Sequence, residues 1–175
     1  MRKSTLILLL GSMLMVMASG CGDIVTPTAT PIPSSTPPAP IKIAIQSFHG
    51  RYVTARGENS DWVLGQTPEL GDCEWFTQHR LDNDKIALVT CHDRYVTAPI
   101  TGTVRSDWLL GQEPELGDCG QFDLYELGND RVAFKTCAGK FFTPGDEYWE
   151  PPLQWTVVAE TDIFGGWEIF TILEQ

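Results

Sequence analysis

From Ile41 onward, apolar residues recur two apart in short runs: Ile43 and Ile45, Ile86 and Leu88, Val132 and Phe134. A period of two puts alternate side chains on one face, which is the signature of a half-buried strand. Turn-forming clusters such as Asp82-Asn83-Asp84 and Gly128-Asn129-Asp130 separate the runs. Asn, Asp and Gly punctuate strands because they tolerate left-handed backbone. No long run with helical spacing follows the N-terminal apolar segment. The pattern predicts an all-β domain over 41–175.

The same chain contains copies of itself. DWVLGQTPELGDC at Asp61 to Cys73 returns as DWLLGQEPELGDC at Asp107 to Cys119, and RYVTA at Arg51 to Ala55 returns at Arg94 to Ala98. A more diverged third copy places Lys140-Phe141-Phe142-Thr143-Pro144 against RYVTA and Trp155 against Trp62 and Trp108. Apolar positions then fall into triplets: Ile43, Ile86, Val132; Ile45, Leu88, Phe134; Tyr52, Tyr95, Phe141; Leu64, Leu110, Val157; Phe76, Phe122, Phe170. Each copy reads as about four strands, so three make about twelve. One copy alone cannot bury its apolar face, whereas three closed about an axis stack the triplets in layers and remove exposed strand edges. A three-bladed propeller would be unusually small. A closed threefold barrel is the expectation.

With its Arg/Lys-Tyr/Phe-Val/Phe-Thr-Ala/Pro strand, its strand ending Leu-Gly-Gln, and its aromatic-Phe strand, the region resembles the fascin-like β-trefoil family. The resemblance implies a six-stranded barrel with three capping hairpins in pseudo-threefold arrangement. It rests on core and turn positions, so it speaks to fold more than to function. The repeated Gln-x-Trp of ricin-type trefoil lectins is missing.

Five cysteines are an odd number for an exported domain. Met1-Arg2-Lys3, the apolar run Leu6 to Met17, and Ala18-Ser19-Gly20 before Cys21 read as a signal peptide over 1–20. The ending resembles the lipobox of bacterial lipoproteins, which implies a lipidated Cys21 and anchorage at the outer face of the cell membrane. Ala18 stands where that pattern has Leu, so a cleaved, secreted form is the alternative. The stretch 21–40 is rich in Pro, Thr and Ser, too polar and too short of apolar residues to form a core, and is expected to be a semi-rigid tether. Four cysteines remain. Cys73 and Cys91 are 18 apart, as are Cys119 and Cys137. Of three possible connectivities, repeat symmetry favours Cys73–Cys91 and Cys119–Cys137; close C-x-x-C pairs that would suggest zinc do not occur. In the third copy Trp167 and Phe48 occupy the cysteine positions, so the first and last strands are expected to pair with these two rings in contact.

From Ile41 on, 22 Asp and Glu oppose 10 Lys and Arg. That acidity disfavours nucleic acid and anionic headgroups. No phosphate loop, calcium loop or metal cluster is evident, and His49, His79 and His92 lack a nucleophile at motif spacing, so neither enzyme activity nor a cofactor is expected. The candidate ligand-binding residues are Asp61, Trp62 and Gln66, their counterparts Asp107, Trp108 and Gln112, and the loop aromatics Tyr148 and Trp149. Indoles beside carboxylates and amides suit a sugar, whose ring face stacks while its hydroxyls hydrogen-bond. The competing reading makes the tryptophans hairpin packing residues. Two functions are therefore carried forward for a monomer: a carbohydrate-binding surface module, or a protein-binding, inhibitory or structural one using the Trp149 loop.

Overall fold

The computed structural model describes residues 38–57, 62–98, 110–149 and 154–175. Cys21, the segment before it and most of the tether lie outside the described residues, as do Asp61, Asp107 and Trp108. The strands are β1 (Ile41–Gln46), β2 (Tyr52–Ala55), β3 (Leu64–Thr67), β4 (Trp75–Arg80), β5 (Ile86–Val89) and β6 (Tyr95–Thr97). They continue as β7 (Gly111–Glu113), β8 (Asp123–Gly128), β9 (Arg131–Lys135), β10 (Phe141–Pro144), β11 (Val157–Thr161) and β12 (Phe170–Glu174).

Six of them close a ring. β1 pairs with β12 and β4, β4 with β5, β8 with β9, and β9 with β12. Between β5 and β8 the ring is joined by reciprocal bonds of 2.9 Å linking Ile86 and Phe122. The hairpins β2–β3, β6–β7 and β10–β11 cap one end. They meet at the axis, where Leu64 N–H donates to Leu110 carbonyl (2.8 Å) and Leu110 N–H to Val157 carbonyl (3.1 Å).

The core consists of the expected layers with one correction. Ile43, Ile86 and Val132; Ile45, Leu88 and Phe134; Leu64, Leu110 and Val157; and Phe76, Phe122 and Phe170 are all buried. Tyr52 and Tyr95 are not in the core: they are half-buried, and Val53, Val96 and Phe142 fill that layer. With period two, a phase error of one residue exchanges the faces of a strand. The third-copy ring Phe142 packs against Phe122 of the second copy at 5.0 Å and against Phe134 of its own at 5.1 Å.

One turn recurs in all three copies. Ser47, Thr90 and Thr136 N–H donate to the carbonyls of Arg51, Arg94 and Lys140, each at 2.8 Å. The third residue of each turn is left-handed: Gly50 (φ 72°), Asp93 (φ 55°) and Gly139 (φ 79°). Glycine adopts this backbone freely and Asp more readily than most. The turn orients the basic residue that follows it, Arg51, Arg94 or Lys140.

Cys73 is bonded to Cys91 and Cys119 to Cys137, with Cα–Cα separations of 5.0 and 5.2 Å. At the third seam Phe48 and Trp167 face each other, 6.2 Å between centroids and 14° from parallel.

Candidate functional site

Trp62 and Trp155, the repeated tryptophans among the described residues, are clamped by the neighbouring copy. Arg94 lies over the Trp62 ring, 4.1 Å from its centroid, and His92 meets the ring edge-on at 5.3 Å. Trp155 has the same partners one copy on: Arg51 at 4.1 Å and His49 edge-on at 6.0 Å. Both indoles sit on left-handed backbone, φ 54°. Such a guanidinium contributes roughly 0.5–2 kcal/mol and covers one ring face. In the third copy Ala138 and Lys140 replace His and Arg, and Lys140 pairs with Asp162 at 2.9 Å.

Gln66 and Gln112 are also inward. Gln66 Nε2 donates to Gly145 carbonyl (2.7 Å) and Thr156 carbonyl (3.2 Å); Gln112 Nε2 donates to Arg56 carbonyl (2.6 Å). Gly145 and Arg56 are equivalent positions, so each amide ties its hairpin to the preceding copy in the ring. Both side chains are buried and their Oε1 atoms have no partner. Neither amide is open to a ligand. Ala159 at the third position leaves that tie out. Arg56 Nη2 donates to Trp155 carbonyl (3.1 Å), and partial burial lowers its pKa from the usual arginine value.

The carboxylates Glu69, Asp72, Glu115 and Asp118 are exposed on the loops after β3 and β7. Glu74 and Glu168, which the sequence did not single out, are buried; each accepts the N–H of the glycine three residues earlier, Gly71 and Gly165, at 2.7 Å. The shared Gly-x-x-Glu spacing was the available signal. Tyr148 projects, 84% exposed, from a turn in which its N–H donates to Asp146 Oδ1 (2.9 Å), while Trp149 is half-buried. Among the described residues neither makes a ring contact.

His92 Nε2 lies 3.2 Å from Ala55 carbonyl, and His49 is edge-on to Phe48, Trp155 and Trp167. Cys73, Cys91 and His92 come together, but both sulfurs are committed to the disulfide.

The seam that closes the barrel is different in kind from the other two. Phe48 is 61% and Trp167 43% exposed. Beside them is a hollow of about 440 Å³ lined by Gln46, Ser47, Phe48, Arg131, Ile169 and Thr171 among others. Thr90 and Thr136 accept a turn N–H through Oγ1, at 3.3 Å each. Ser47, their equivalent, is buried with its Oγ unpartnered. Gln46 is directly opposite Thr171, and Thr171 directly opposite Arg131, so three polar side chains form one row across β1, β12 and β9.

A six-stranded barrel capped by three hairpins from a threefold-repeated chain is a β-trefoil. The fold is similar to a designed 3-fold symmetric protein, ThreeFoil, at TM-score 0.61 and 18% identity, covering 77% of this chain and 99% of that one. It is similar also to SeviL bound to asialo-GM1 saccharide (TM-score 0.58, 11% identity, 77% and 98% covered) and to the BEL beta-trefoil (0.59, 14%, 81% and 98%). No protein-family model and no curated relative matches the chain. The disulfides fit an extracellular setting, and among the described residues no helix is long and apolar enough to cross a membrane.

Proposed function

We propose that this protein is a non-catalytic carbohydrate-binding module displayed at a cell surface. The observation that carries the reading is the open Phe48–Trp167 pair beside a hollow lined by Gln46, Arg131 and Thr171. Exposed parallel rings accept the C–H face of a pyranose, and polar atoms beside them take its hydroxyls. The sugar is assigned to this seam and not to Trp62, because Arg94 already occupies a face of that indole and Gln66 points inward. One similar trefoil was solved with a saccharide bound, which supports the ligand class.

The module is held at the outer face of the membrane by lipidated Cys21 through the 21–40 tether. Metabolic labelling with a fatty-acid analogue checks this: label is expected on the wild type and lost in Cys21→Ser, and an unlabelled wild type contradicts the anchor. For the ligand, a glycan array is probed with wild type, Phe48→Ala, Trp167→Ala and Trp62→Ala. Retention is expected to fall in the first two variants and to keep its pattern in the third. A wild type that retains no glycan, or binding unchanged by both seam replacements, overturns the proposal.

A second reading is favoured by Tyr148, whose near-complete exposure suits docking to a surface protein. Pull-down from the native envelope with Tyr148→Ala tests it; a partner whose recovery drops in that variant, with glycan binding unaffected, supports the protein-binding role.

A further inference from the structure

The repeat provides an internal comparison for the polar row at the closing seam. At the seam between β1, β4 and β5 the equivalent row is Lys42–Thr77–Val89, bordered by the Cys73–Cys91 disulfide. At the seam between β8 and β9 it includes Asp123 and Lys135 directly opposite, and Asp123 is ion-paired with Lys85 at 2.9 Å. The third row, Gln46–Thr171–Arg131, stands beside the open Phe48 and Trp167 rings.

Among the described residues, Arg80, Lys85 and Lys140 are in ion pairs, and Arg51, Arg94 and Lys135 lie over aromatic rings. Arg131 and Lys42 are exposed and in neither kind of contact, although the domain carries more than twice as many acids as bases, and of the two Arg131 lines the hollow beside Phe48. A guanidinium presents a planar fork of donors that matches a carboxylate with two parallel hydrogen bonds. Thr171, next to it in the row, provides a hydroxyl for neutral oxygens, and the Gln46 amide, whose Nε2 donates one N–H to Gly50 carbonyl (3.1 Å), has a second N–H to offer.

We infer that the closing seam selects a saccharide bearing a carboxylate: the pyranose lies on Phe48 and Trp167, its hydroxyls meet Gln46 and Thr171, and its carboxylate pairs with Arg131. This rests on the carbohydrate reading above and adds a charge preference to it. The overall acidity limits the ligand to sugars of low charge, since a polyanion meets the repulsion of the whole domain.

The test uses matched oligosaccharides that differ only in a terminal hexose or its uronic acid, titrated against the full-length protein by calorimetry. The acidic member is expected to bind roughly tenfold tighter, a free-energy difference of about 1.4 kcal/mol. Arg131→Gln removes that preference and leaves neutral binding, Arg131→Lys keeps part of it, and Lys42→Gln, at the equivalent position of another seam, leaves it intact. Thermal melts of each variant establish that the fold is retained, as expected for an exposed side chain outside any ion pair. Equal binding of the two sugars, or a preference that survives Arg131→Gln, overturns the charge assignment while the carbohydrate reading stands. Binding of neither sugar, with no other glycan retained on the array, overturns both.

Discussion

Gln66→Ala separates a side chain that ties two repeats from one that meets a ligand. The amide nitrogen makes two buried bonds, to Gly145 carbonyl at 2.7 Å and Thr156 carbonyl at 3.2 Å. At about 1 kcal/mol net for each, their loss is worth roughly 2 kcal/mol, and the stranded Gly145 carbonyl adds about 1 kcal/mol or more. The variant also removes Oε1, which is buried and unpaired, and so relieves a cost of about 1 kcal/mol already present. The net expectation is a loss of about 2 kcal/mol, or a fall in melting temperature of roughly 6–8 °C for a domain of this size. Gln66→Met, which keeps volume and loses only the polar contacts, should lie near the same value. Urea unfolding followed by tryptophan fluorescence measures this, with glycan retention recorded on the same samples. A loss under about 0.5 kcal/mol together with abolished glycan binding would refute the assignment, since it would mean that the amide faces the ligand.

Replacing Cys73 and Cys91, or Cys119 and Cys137, with alanine is expected to cost about 3 kcal/mol per pair, read from denaturant midpoints; oxidised and reduced protein of equal stability would contradict it. Arg94→Ala should shift the Trp62 emission and cost about 1 kcal/mol, with Arg94→Lys recovering part of both. At the closing seam Phe170→Ala should cost about 3–5 kcal/mol because that ring is fully buried, whereas Phe48→Ala, largely exposed, should cost about 1 kcal/mol; reversal of that order in chemical denaturation would show the seam to be assembled differently.

The layers of the core were legible in the sequence because repetition supplies its own alignment: three occurrences of Phe76, Phe122 and Phe170 identify a buried position better than one can. Tyr52 and Tyr95 misled because the choice between the faces of a short strand turns on one residue, and the neighbouring Val53 and Val96 are as apolar. Trp62 and Gln66 combine residue types that serve a binding surface and an inter-copy tie equally well, and only coordinates reveal that Arg94 arrives over the ring from the next copy. Phe48 and Trp167 were predicted to touch because they replace a cysteine pair. That they stay open, with a hollow alongside, depends on how the loop before β12 leaves the barrel, which no local pattern records. The same holds for Arg131: a lone basic residue at the start of a strand acquires meaning only when register sets Thr171 and Gln46 next to it.

The pairing of β1 with β12 also governs when this protein can become a protein. β1 leads the domain in chain order, yet one of its two edges has no mate until Phe170–Glu174 has been made and delivered. With the export proposed above, the ring cannot close until nearly the whole chain has crossed, and closure, a slow long-range event, falls on the far side, where thiols are oxidised.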